Sequence, residues 1–252
     1  MDEILCDIHD DIALVTMNRP SKMNAINQSM RDGFAEIFRR IELDSDVRVV
    51  VLRGAGTKAF SAGADMNEVS QWDPYERRTR FYENPINTVR RCQKPVIAMI
   101  QGYALGGGLE LGLACDIRLA AETAVFALPE VGLGWLPAGG GTTQLLPRMI
   151  GLGEAMLMIL TGERIDAQTA HRIGLVQRVW PIAELEMQGM NIASQITRHN
   201  PRVVMLAKAA VRMAFRSPLD VGIEYEKELS TMCFLTESRD AATETFTKNK
   251  NS

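Results

Sequence analysis

ALGGGLELGLACD, residues 104–116, joins three consecutive glycines to a segment whose leucines at 109 and 113 recur at helical spacing, with a single carboxylate, Glu110, among them. A glycine triplet costs backbone entropy, and a carboxylate among apolar neighbours is costly to desolvate unless something compensates. Two locally unfavourable choices side by side mark a candidate site. The run before it, PVIAMIQG (95–102), is short, apolar and closed by glycine. Buried strand, small-residue loop, helix is the order expected of an α/β layer fold.

The same design extends outward. IALVTMN (12–18) reads as a strand ending before Pro20. AINQSMRDGFAEIFRRIELD (25–44) places Ile26, Met30, Phe34, Ile37, Phe38 and Ile41 at the spacing of an amphipathic helix. VRVVVLRGAG (47–56) is a β-branched run closed by glycine, DIRLAAE (116–122) a third such strand, and AVFALPEVGLG (124–134) begins like a fourth. From about residue 150 only helical patterns are expected: GEAMLMILTG, DAQTAHRIGL, IAELEMQGMNIASQITRHN, PRVVMLAKAAVRMAF and a long final one from about Pro218 to Lys248. With no fixed-period repeat and no low-complexity linker, the helical part is expected to pack on the core.

Composition narrows the function classes. The chain has 252 residues, 46% hydrophobic and 23% charged, enough for a sizeable core. A formal net charge of −3 supplies no basic field for nucleic acid. Cys6, Cys92, Cys115 and Cys233 are widely separated, without CxxC spacing or nearby histidines. They indicate neither a metal site nor a disulfide framework, and fit a reducing, cytoplasmic setting. The opening MDEILCDIHDD is acidic where a targeting segment is basic. The most apolar run, 96–121, is broken by Gln101, Glu110, Asp116, Arg118 and four glycines, so a core segment is expected there and no membrane span.

Two apolar strands empty into small-residue loops, GAGTKAFSAGADMN (54–67) and GYALGGG (102–108). Ligands of open α/β sheets bind at strand C-terminal ends, and small residues let a ligand approach main-chain N–H groups. Side by side, two such loops make an oxyanion hole. Each also has a plainer reading, SAGAD as a turn and GGG as close helix–strand packing; neither a P-loop nor a dinucleotide fingerprint is present. Glu110 alone reads as a solvated first-turn carboxylate, and Glu130, in FALPEVGLG before WLPAGGGTTQ, as a surface-loop acid. Converging on the loops, their different surroundings would separate their pKa values into acid and base.

Together, IALVTMNRPSKMNAI, FSAGADMNE, KPVIAMIQGYALGGGLELGLACD, FALPEVGLGWLPAGGGTTQLLPRMIG and TGERIDAQTAHRIGLVQRV resemble, in order and spacing, the crotonase family, the enoyl-CoA hydratase/isomerase superfamily. The resemblance implies an α/β spiral of ββα units with a C-terminal helical trimerisation region. It divides the chain into a core, 1–195, carrying an acyl-CoA site, and a helical region, 196–252, that oligomerises and covers the site. It implies a homotrimer or a hexamer of paired trimers, a soluble cytoplasmic enzyme, and no cofactor beyond the coenzyme A carried on the substrate.

Motif matching places the oxyanion-hole donors on Ala64 and Gly107 and the catalytic acids on Glu110 and Glu130. Two glutamates are the pattern of the family's hydratases, whereas its isomerases generally keep an acid only at the later position. The implied activity is therefore enoyl-CoA hydration or its reverse; an isomerase or other crotonase-type lyase is the alternative, and the intact acids and loops disfavour a non-catalytic scaffold. Coenzyme A is expected along Lys22, Met23, Ala25, Ala62, Asp65 and Met66. Asn67 stands where many hydratases carry a lysine for CoA phosphate, leaving Lys22, Lys58 or a neighbouring subunit's tail for that charge. SQWDPYERRTRFYENP (70–85) corresponds to the segment that covers the acyl chain. Trp135 and Leu136 are assigned to the acyl pocket, with a core orientation of the indole left open.

Overall fold

The computed structural model describes residues 3–80 and 84–234. Its ten strands are β1 (Ile4–His9), β2 (Ile12–Met17), β3 (Val49–Gly54), β4 (Ala59–Ser61), β5 (Val96–Ile100), β6 (Tyr103–Leu105), β7 (Ile117–Ala121), β8 (Val125–Ala127), β9 (Ile165–Asp166) and β10 (Arg178–Trp180). They form a six-stranded sheet, order β1-β2-β3-β5-β7-β10, and a four-stranded sheet, order β4-β6-β8-β9. Pairing is parallel except at the β1–β2 and β8–β9 edges.

Each central strand of the large sheet hands over to a short strand of the small one: β3 to β4, β5 to β6, β7 to β8. A helical segment follows each pair, beginning at Met66, Gly107 and Pro129 respectively. That repetition is the expected spiral of ββα units. β5 and the valines of β3 are buried on both faces, which is why they read as continuous apolar runs. The predicted helix at 25–44 runs from Gln28 to Leu43, its start fixed by Asn27, whose side chain accepts the Met30 N–H. It buries Met30, Phe34, Phe38 and Ile41 against the main core.

The acidic opening forms an edge strand, β1, and Asp10 and Asp11, at φ 49° and 65°, turn it into β2. One expectation is corrected. The part beyond residue 150 is not all helical, because β9 pairs with β8 and β10 with β7. At two and three residues these strands are too short to leave a periodicity, and their partners are distant in sequence.

The Ile182–Thr197 helix covers the other face of the large sheet, packing Leu185 and Ala193 with Val49, Val51, Ile97 and Leu119. The Pro201–Met213 helix is tied on by charge: Asp116 receives Lys208 at 2.6 Å and Arg212 at 2.7 Å. The last described helix is Leu219–Phe234; the remainder of the helix expected to reach Lys248 lies outside the described residues.

Candidate active site

The loop after β4 is stapled from beneath by two buried polar side chains. Asn24 Nδ2 donates to the Ala55 and Ala59 carbonyls at 3.0 and 2.8 Å. Ser61 Oγ donates to the Asn24 carbonyl at 2.8 Å and accepts the Gly63 N–H. Ile26 then clamps the loop, its N–H donating to the Gly63 carbonyl at 2.7 Å and its carbonyl accepting from Asp65 at 3.0 Å. Ala64, held between these bonds, contributes its N–H to none of them.

The second loop turns at Gly106, whose φ of 50° suits glycine and whose N–H donates to the Ala127 carbonyl. Gly108 lets the following helix, Gly107–Ala114, lie against the first loop: a Cβ there would fall 2.1 Å from the Ser61 carbonyl oxygen. As a result Gly107 sits beside Ala64, whose nitrogen would be 3.5 Å from a Cβ on Gly107. Among the described residues neither the Ala64 nor the Gly107 N–H has an acceptor; at Gly107 this follows from its place at the head of the helix.

Glu110, in the first turn of that helix, is buried, with 4% of its surface exposed. The solvated-carboxylate reading is therefore excluded. Burial pushes its pKa up, opposed by the Thr142 hydroxyl and by the Gly140 and Gly139 N–H groups. Glu130 lies in the 3-10 turn Pro129–Leu133, partly buried, with its carboxyl against Gly106. Its Oε2 is buried and has no hydrogen-bond partner among the described residues. Burial above all, assisted by the negative charge of Glu110, pushes its pKa up to about 7 against the effect of its own backbone N–H. The two acids differ as acid–base partners must: one is held by three donors, the other has an unpartnered oxygen.

Ala64, Gly107, Glu110 and Glu130 line one cavity. Ala62, Met66, Trp135 and Leu136 line it too, and Trp135 is half-buried. The other expected coenzyme contacts stand off this wall. Lys22 is exposed in the Pro20–Lys22 turn, and Met23 and Ala25 offer their carbonyls to the Ala62 N–H and the Arg19 guanidinium. The Asp65 carboxylate is engaged by Arg19 at 3.1 Å and by the Asn67 N–H.

Several lining or supporting residues had not been singled out from sequence. Thr142 holds Glu110. Asn84 ties the covering segment to the same loop by donating to the Gly139 carbonyl at 2.9 Å. Trp72, Arg77 and Arg80, from the segment expected to cover the acyl chain, form a wall with Arg31; residues 81–83 of that segment lie outside the described residues. Arg77 stacks on the Trp135 ring at 4.5 Å, and Arg31 and Arg80 on that of Trp72 at 4.9 and 5.0 Å. Among the described residues no group of three or more His, Cys, Asp or Glu could hold a metal ion, and no helix is long and apolar enough to cross a membrane.

The family model described as enoyl-CoA hydratase/isomerase matches residues 7–251. The chain is 38% identical, over 99% of its length and 97% of the relative's, to the short-chain-enoyl-CoA hydratase of Clostridium acetobutylicum. It is 36% identical to the mitochondrial enoyl-CoA hydratase of Pongo abelii, over 96% of this chain and 83% of that one. Among solved structures, the enoyl-CoA hydratase of Bacillus anthracis superposes with a TM-score of 0.94 at 37% identity, covering 98% of this chain and 96% of the other.

Proposed function

This chain belongs to the enoyl-CoA hydratase/isomerase family, and on that footing we propose that it is an enoyl-CoA hydratase in which Glu110 and Glu130 add water across the 2,3 double bond of an enoyl-CoA thioester. The observation that carries this reading is the convergence, in one cavity, of two inequivalent carboxyl groups and two unengaged main-chain N–H groups.

The Ala64 and Gly107 N–H groups bind the thioester carbonyl oxygen and strengthen their hold as negative charge gathers on it, which draws electron density away from the β-carbon. Glu110, ionised, takes a proton from water as the water oxygen bonds to that carbon. Glu130, protonated, gives its proton to the α-carbon as the enolate collapses. One H and one OH are added, and a proton passing from Glu110 to Glu130 resets the pair. Glu130, with a pKa near 7, is matched to its task as an acid at neutral pH. No redox or metal chemistry enters these steps, and coenzyme A arrives as part of the substrate.

The reading includes an assembly built on trimers through the helical region beyond residue 196. It is supported by apolar residues left exposed there, Val211 at 72%, Phe215 at 58% and Leu219 at 78%. It also includes a cytoplasmic location, in keeping with the lack of a disulfide among the described residues.

The test is to measure hydration and double-bond migration on one enoyl-CoA for Glu110→Gln and Glu130→Gln. Each substitution is expected to lower hydration by roughly 10²–10⁴, the usual range for general acid–base catalysis, with thioester affinity largely kept. Near-normal hydration in Glu110→Gln, with migration lost in Glu130→Gln, would instead identify an isomerase.

A further inference from the structure

The proposed chemistry uses two acids and two main-chain N–H groups of the cavity wall; the same wall carries cations that it does not use. Arg31 is buried and already neutralised by Glu68. Arg77 and Arg80 are not: among the described residues neither has a carboxylate partner, and their side chains meet only Trp135 in one case, Trp72 and Gln28 in the other. Both line the cavity, and both are only partly exposed. Two guanidinium groups on one cavity wall, without a carboxylate partner among the described residues, form a positive surface to which an anion is attracted. An indole beneath a guanidinium covers its face and leaves its N–H edge to receive a planar carboxylate through hydrogen bonds; at Arg80 one N–H of that edge is already given to Gln28.

Resting on the hydratase reading of the same cavity, we propose that the acyl group accepted here ends in a carboxylate, held by Arg77 and Arg80 at the end of the pocket away from the thioester. The arginines share the wall with Trp135 and the covering segment, where the acyl chain is accommodated. Of the residues expected along coenzyme A, Ala62 and Met66 line the cavity and Lys22, Met23, Ala25 and Asp65 do not. Arg77 stacks on Trp135, the residue assigned to the acyl pocket, which favours an acyl carboxylate over a coenzyme A phosphate as the anion.

The experiment measures kcat/KM for a homologous series of 2-enoyl-CoAs ending in a carboxylate, each against its methyl ester, in the native enzyme and in Arg77→Met and Arg80→Met separately. A charge-assisted pair is expected to favour the best acid over its ester by about tenfold to a hundredfold. In each variant that ratio collapses toward one, a comparison internal to the variant and so independent of how much of it folds. Esters turned over as well as acids by the native enzyme would overturn the proposal while leaving the hydratase reading intact. An unchanged acid-to-ester ratio in the variants, with weaker binding of free coenzyme A, would overturn it by assigning the arginines to phosphate. Hydration of no member of the series would overturn the hydratase reading itself and this proposal with it.

Discussion

Thr142→Val isolates the support given to the proposed base. Thr142 is 1% exposed and is not on the cavity wall, so the substitution leaves the substrate's contacts alone and removes only the hydroxyl that donates to Glu110 Oε1. What remains is weaker: the Gly140 N–H is 3.4 Å from the same oxygen, and the hydroxyl is the foremost of the three donors that oppose the effect of burial. A hydrogen bond to a charged group contributes roughly 1.5–3 kcal/mol, so losing it should lower kcat by about ten- to a hundredfold at neutral pH.

The direction with pH follows from the same contact. The hydroxyl stabilises the ionised form, so its loss raises the Glu110 pKa further, and the acidic limb of the kcat/KM profile, which reports the base, moves to higher pH. Part of the lost activity returns as pH rises, until the alkaline limb set by Glu130 near 7 takes over. Following the conjugated-thioester absorbance across the pH range reads both limbs, and Thr142→Ser, which restores a hydroxyl, should recover the native profile. A folded Thr142→Val enzyme with an unmoved acidic limb and undiminished kcat would refute the assignment of Glu110 as a base held by this contact.

Two further outcomes are expected. Because Glu130 has a folded pKa of about 7 against an ordinary 4.5, the folded state binds its proton more tightly, so its stabilising contribution is complete below about pH 4.5 and is lost as pH rises through about 7. Glu130→Gln should therefore be the more stable protein at pH 8, by about 2 kcal/mol once a full value near 3 is discounted for partial exposure, with no advantage at pH 4; denaturation at fixed protein concentration checks both. For the assembly, sedimentation equilibrium should give a mass based on trimers, and a stable, active monomer would contradict it.

How much of this was legible in the sequence depended on whether a feature is local. β3 and β5 showed themselves because a strand buried on both faces must be apolar throughout. β1 did not, since exposed Asp7 and His9 interrupt its apolar residues, and β9 and β10 are held by pairing with strands far away in the chain. At the site, Glu110 and Glu130 stood out as acids among apolar neighbours. Thr142, 32 residues after Glu110, has no such contrast and gains meaning only when its helix closes on the carboxylate. Arg77 and Arg80 fall in the segment expected to cover the acyl chain but were not singled out within it; their stacking on two tryptophans distinguishes them, and both line the cavity.

The physical cost of the site explains why its frame is so heavily bonded. Glu110 and Glu130 are desolvated beyond what their partners compensate, and the Ala64 and Gly107 N–H groups, set aside for a developing oxyanion, contribute nothing to holding the backbone. A loop carrying such groups would relax toward water or toward self-satisfaction if it were free to move. Asn24, Ser61 and the double clamp of Ile26 prevent that on one side, and the close seating of Gly108 on Ser61 prevents it on the other. On the proposed function the buried polar residues behind the loops serve catalysis: they keep the donors unsatisfied and in place, as binding an enolate more strongly than the substrate requires.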